Sequence, residues 1–148
     1  MAQKQIVPPV TEKINELCTV TYNNKTYTIS ITNLAQGVLS ESFILPEHTS
    51  GTVYSFTGEG CDIIRDTLSV HTDKSYLKDN ALPKRIYNIF RELQNTEEPQ
   101  YIGEEQDSKD SIFSMGNCRV TADKTVGFIK KIESSDGKLI LQFEKNDN

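Results

Sequence analysis

The chain is 148 residues long, enough for one domain that buries roughly 68–70% of its unfolded surface. With 36% hydrophobic and 25% charged residues it has the composition of a chain that folds unaided, and its net charge of −5 argues against general nucleic-acid binding, where phosphate contacts need a concentrated excess of Lys and Arg. No stretch approaches the roughly 18 consecutive apolar residues of a membrane span, and the N-terminus lacks the apolar core of a secretory leader.

Residues 1–10 read as a flexible lead in which Pro8-Pro9 favours an extended path, ahead of a single globular domain over 11–145. Thr11 is placed to cap a short helix through Cys18, with Ile14, Leu17 and Cys18 on one side. A β-hairpin over 18–31 follows. Folding it about Asn23-Asn24 sets Val20 opposite Tyr27 and Cys18 opposite Ile29, and leaves Thr19, Thr21, Thr26, Thr28 and Ser30 on the other face. That alternation marks a strand pair with one dry side and one wet side. Residues 33–42 are ambiguous, since Leu34, Val38 and Leu39 fit a helical stripe that Gly37 weakens. A short apolar run over 43–45 stops at Pro46, and 52–56 reads as a strand.

Gly58 and Gly60 precede a second helix candidate over 62–68, and the strongest helix is 84–93. Pro83 suits its first turn, and Ile86, Ile89, Phe90 and Leu93 form one apolar stripe. Residues 94–110 are acidic, poor in aliphatics and broken by Pro99, which predicts a mobile exposed loop. Two strands, 112–115 and 118–121, lead to a last hairpin, 126–133 with 138–143. A four-residue loop there pairs Phe128 with Phe143, Ile132 with Leu139 and Glu133 with Lys138. The expected fold is α+β: a single domain with a mainly antiparallel sheet of five to seven strands, built from two or more hairpins and covered by one or two helices.

Chemistry is harder to find. The Gly58-Glu59-Gly60-Cys61 turn would bare backbone N–H groups toward an anion if a helix followed, with Arg65 and His71 assisting; the plainer reading is a tight turn. Position 63 is Ile rather than the third glycine of the dinucleotide fingerprint. Cys61 at a helix N-terminus would have a lowered pKa, and with His71 ten residues on it could form a Cys/His nucleophile pair. No papain-type or caspase-type signature surrounds it. His48 and His71 are too few for a zinc site, and the acidic stretch 104–110 lacks the order of a calcium loop. Lys130-Lys131 is the nearest approach to a basic patch.

Cys18, Cys61 and Cys118 are widely spaced and odd in number, which suggests thiols in a reducing, cytoplasmic setting, with Cys18 buried. The expectation is a non-catalytic binding protein without cofactor or metal. It would recognise a protein partner or a small ligand, anionic or nucleotide-like, through Gly58, Glu59, Gly60, Arg65 and His71. The alternative is a small hydrolase or transferase using Cys61 or His71 with Asp66 or Asp73.

Overall fold

A computed structural model describes residues 6–35, 37–58, 60–73 and 75–144. It contains one antiparallel sheet of 11 strands and a single long helix. In chain order the strands are β1 (Ile14–Tyr22), β2 (Lys25–Ala35), β3 (Val38–Leu45), β4 (Thr52–Phe56), β5 (Gly60–Arg65) and β6 (Leu68–Asp73). After helix α1 (Leu82–Gln94) come β7 (Gln100–Glu104), β8 (Ser111–Met115), β9 (Cys118–Ala122), β10 (Ile129–Ser134) and β11 (Leu139–Glu144). The sheet order is β6-β5-β4-β3-β2-β1-β11-β10-β9-β8-β7, so two meanders meet where β1 pairs with β11.

The first hairpin has the register that its alternation predicts, with Cys18 opposite Ile29 and Val20 opposite Tyr27. Asn23 and Asn24 take φ values of 50° and 67°, the left-handed pair that Asn tolerates in a two-residue turn. The strand at 52–56 and those at 112–115 and 118–121 also form, the latter two a residue longer each. α1 carries its predicted stripe: Ile86, Ile89, Phe90 and Leu93 are all buried against the sheet. Phe90 meets Phe143 edge-on at 6.2 Å, and Tyr87 stacks on Phe56 at 4.6 Å.

Four expectations are corrected: the helices through 14–18 and over 62–68, the register of the last hairpin and the number of strands. Residues 14–18 are the start of β1 rather than a helix, because this strand lies between β2 and β11 and its ladder outweighs a short i, i+3, i+4 pattern. Residues 62–68 are also extended: β5 turns at Asp66-Thr67 into β6, with Asp66 at φ 55°. The segment 94–110 contains β7, which pairs with β8 through a bulge near Gly103 and rests Tyr101 edge-on against Phe113 at 5.7 Å. The last hairpin is shifted by two residues, with Ile132 opposite Leu141 and Glu133 opposite Ile140. A two-residue shift keeps the apolar face inward. Its cause is Asp136, whose carboxylate accepts from the Ser134 hydroxyl at 2.6 Å and the Lys138 amide at 2.9 Å, drawing Lys138 into the turn. Glu133 consequently pairs with Lys131 on its own strand. The sheet exceeds the expected five to seven strands, and among the described residues α1 is the one α-helix that packs on its dry face.

Residues 33–42 resolve into the end of β2 and the start of β3, joined through Gly37 at φ 79°. This places Leu39, Glu41 and Phe43 in alternation on the face beneath α1, all buried.

Candidate functional site

The residues of the expected anion cradle are separated by the fold. Gly58 lies exposed in the turn after β4, and Glu59 lies outside the described residues. Gly60 opens β5 opposite Asp73, where any Cβ would run into the Thr72 carbonyl, so its role is close strand approach. Arg65 stands at the far end of β5, about 16 Å along the strand. With β5 in place of a helix, no helix N-terminus stands behind the turn.

The alternative catalytic set is likewise dispersed. Cys61 is buried on the inner face, and its thiol is pushed up to about 11 by burial, with the nearby Glu41 and Asp62 adding to the rise. His71 projects from the outer face, one residue out of phase with Thr72, the strand partner of Cys61. Its Nδ1 pairs with Asp62 rather than with Asp66 or Asp73. Asp62 in turn lies between His71 and Ser55 in the ladder, so the row runs Ser–Asp–His and the histidine cannot bridge a hydroxyl to a carboxylate. Asp66 occupies an exposed turn. Asp73 caps its own turn through the Ser75 hydroxyl and amide, which lower its pKa. Both lysines of the 130–131 pair are engaged, with Asp110 and Glu133.

Arg65 lies away from the glycine turn, beside a different set of neighbours. It borders a cavity of about 170 Å³ lined by Tyr27, Phe43, Tyr54, Leu82 and Pro83, together with His48, Thr49 and Thr52. The rings follow from strand alternation: β2, β3 and β4 each turn one aromatic toward the N-terminal end of α1. Phe43 packs edge-on against Tyr27 at 6.2 Å and against Tyr54 at 5.4 Å. The guanidinium reaches Thr52 Oγ1 at 3.3 Å and the His48 carbonyl at 3.4 Å, both long contacts, and no carboxylate among the described residues pairs with it.

A larger cavity, about 290 Å³, lies on the other side of α1 between Arg85, Glu92, Asn117 and Asp136. Most of its charges are engaged, although the Arg85 Nε is buried without a hydrogen-bond partner among the described residues. Arg85 donates to both Asp136 oxygens at 3.2 and 3.3 Å, and Glu92 accepts from the Asn117 amide at 2.6 Å. The Ser134 hydroxyl, the Lys138 amide and Arg85 hold Asp136 down to about 2. This side is a clamp that fixes the helix to the turns after β8 and β10.

Two inward groups escape sequence reasoning. Glu41 on β3 is 0% exposed, and neither carboxylate oxygen has a hydrogen-bond partner among the described residues. Burial raises its pKa well above the usual carboxylate range. Asn33 on β2, 1% exposed, donates through Nδ2 to the Thr11 carbonyl at 3.2 Å while its Oδ1 stays unsatisfied. The available signal was the alternation Leu39-x-Glu41-x-Phe43, which reads inward only once 38–45 is recognised as a strand.

No family model matches the chain, and no curated protein matches it. Among solved structures, a LolA superfamily protein from Nitrosomonas europaea is similar over 90% of this chain and 70% of its own, with a TM-score of 0.41 and 10% identity. A Vibrio parahaemolyticus domain, whose description is of an outer membrane lipoprotein-sorting protein, is similar over 95% of this chain and 74% of its own, with a TM-score of 0.47 and 12% identity.

Proposed function

We propose that the protein is a non-catalytic binding protein for a small amphiphile, with an apolar acyl or aryl body and a carboxylate or phosphate head. The observation that carries this reading is the cavity at the start of α1, where three aromatic rings, Leu82 and Pro83 line about 170 Å³ together with an Arg that has no carboxylate partner among the described residues. A cavity of that size admits a benzene-sized group. The guanidinium is a planar fork suited to carboxylate or phosphate, and a charge-assisted hydrogen bond is worth about 1.5–3 kcal/mol. The dispersed Cys61, His71, Asp66 and Asp73 offer no comparable constellation.

Titrating octanoate and its neutral analogue octanol against the protein, followed by amide chemical shifts, tests the reading. Binding is expected to move the Thr52 and Tyr54 amides. Octanoate should bind more tightly than octanol, and Arg65→Ala should remove that advantage. Equal affinity of the parent for both, or shifts confined to other parts of the sheet, would defeat it.

A further inference from the structure

The cavity is small for a ligand site, where volumes of roughly 300–1,000 Å³ are usual, and behind the residues that line it is a buried carboxyl with no hydrogen-bond partner among the described residues. Glu41 is the strand partner of Tyr54 and lies two residues along β3 from Phe43, so both of its wall-forming neighbours line the cavity. On its other side along β3, Leu39 borders a void beside Asn33, Tyr87 and Phe90 that is too narrow for a water molecule. Glu41 therefore sits under α1 between two packing defects. Asn33, with its unsatisfied carbonyl oxygen, lines the further one. Three side-chain oxygens on two neighbouring strands, without hydrogen-bond partners among the described residues and set in a mainly apolar core, carry a desolvation cost.

We propose that Glu41 is a specificity-determining residue, whose carboxyl receives a hydrogen-bond donor at the buried end of the ligand. This rests on the reading above and narrows it: the ligand has an anionic group at one end, an apolar middle and a hydroxyl or amide donor at the other. The strand geometry sets the spacing. Glu41, Tyr54 and Ile63 form one row across β3, β4 and β5, and Arg65 lies two residues beyond Ile63. At about 4.8 Å between strands and 3.3 Å per residue, the Glu41 and Arg65 backbones are about 12 Å apart. A medium-length chain bridges the two side chains. Entry parts the Phe43 and Tyr54 rings beneath the first turn of α1 and joins the cavity to the space around Glu41.

The probes are octanoate and 8-hydroxyoctanoate, titrated against parent, Glu41→Leu and Glu41→Gln, with thermal melts of each variant. The parent is expected to favour the hydroxy acid by about tenfold or more. Glu41→Gln, which keeps an acceptor oxygen, should retain most of that preference. Glu41→Leu should lose it, bind octanoate at least as well as the parent, and melt higher. A parent that binds both acids equally overturns the inference while leaving the cavity reading intact, as does a preference that survives in Glu41→Leu. Should Glu41→Leu not fold, loss of the preference in Glu41→Gln overturns it. Failure of the parent to bind either acid removes both readings together.

Discussion

Burial raises the Glu41 pKa well above the usual carboxylate range because the sheet and helix exclude water from it, and no cation among the described residues pairs with it. The groups around it are Cys18 on β1, Tyr54 on β4 and Cys61 on β5; burial leads the rise of each, and Glu41 adds to it. A folded-state pKa raised above the unfolded value means that the folded protein holds the proton more tightly. The associated stability is fully present below the unfolded pKa of about 4.3 and is lost as pH rises toward the folded value, at up to about 1.4 kcal/mol per pH unit. Denaturant melts across that range should show the parent weakening with pH more steeply than Glu41→Leu. Removing the unsatisfied carboxyl should leave that variant about 1–3 kcal/mol more stable at neutral pH. A constant gap between the two curves would mean that Glu41 is ionised in the folded protein. The three thiols make a parallel case. Burial pushes Cys18 and Cys118 to about 12 and Cys61 to about 11, so alkylation near pH 8 should stay slow in the native state and become rapid on unfolding. Rapid labelling of native Cys61 would restore a chemical role for that residue.

Elements were legible where one side meets water and the other does not. The hydroxyl face of β1 and β2 and the four-residue stripe of α1 are of this kind. Truncating Phe90 to Ala should cost about 3–5 kcal/mol, since the ring is 2% exposed and packs on Phe143; a melt matching the parent would contradict the packing. The elements that were misread lack the contrast. In β1, Ile14, Leu17 and Cys18 imitate a helical face, although Leu17 is 40% exposed on the outer side. In β5 and β6, Ile64, Leu68 and Val70 are all exposed, so polarity does not alternate along either strand. The candidate cavity escapes a sequence reading for the same reason. Arg65 was identified from its chemistry alone, whereas Tyr27, Phe43 and Tyr54 converge on it only after four strands are correctly placed side by side. The glycine turn attracted notice as a motif, and β5 in place of a helix removed its physical basis.

At the scale of the molecule, chain order and sheet order disagree at one seam. Each meander, β1 to β6 and β7 to β11, pairs every strand with its sequence neighbour, so its contacts are local and cheap to close. The β1–β11 ladder instead joins Leu17 to Glu144 and Val20 to Leu141, across nearly the whole described chain. Ordering both meanders before the seam closes minimises the loop entropy lost at each step, and non-local pairing of this kind is slow. Leu141, fully buried and opposite both Val20 and Ile132, reports on that step. Leu141→Ala should cost about 2–5 kcal/mol; its pairing with Ile132 belongs to the second meander, and if its packing across the seam on Val20 forms last, that share of the loss is expected as faster unfolding. Leu39→Ala, within the first meander, should instead slow folding. Denaturant-dependent kinetics of the two variants separate these effects, and a Leu141→Ala folding rate reduced as much as that of Leu39→Ala would place closure of the seam within the folding nucleus.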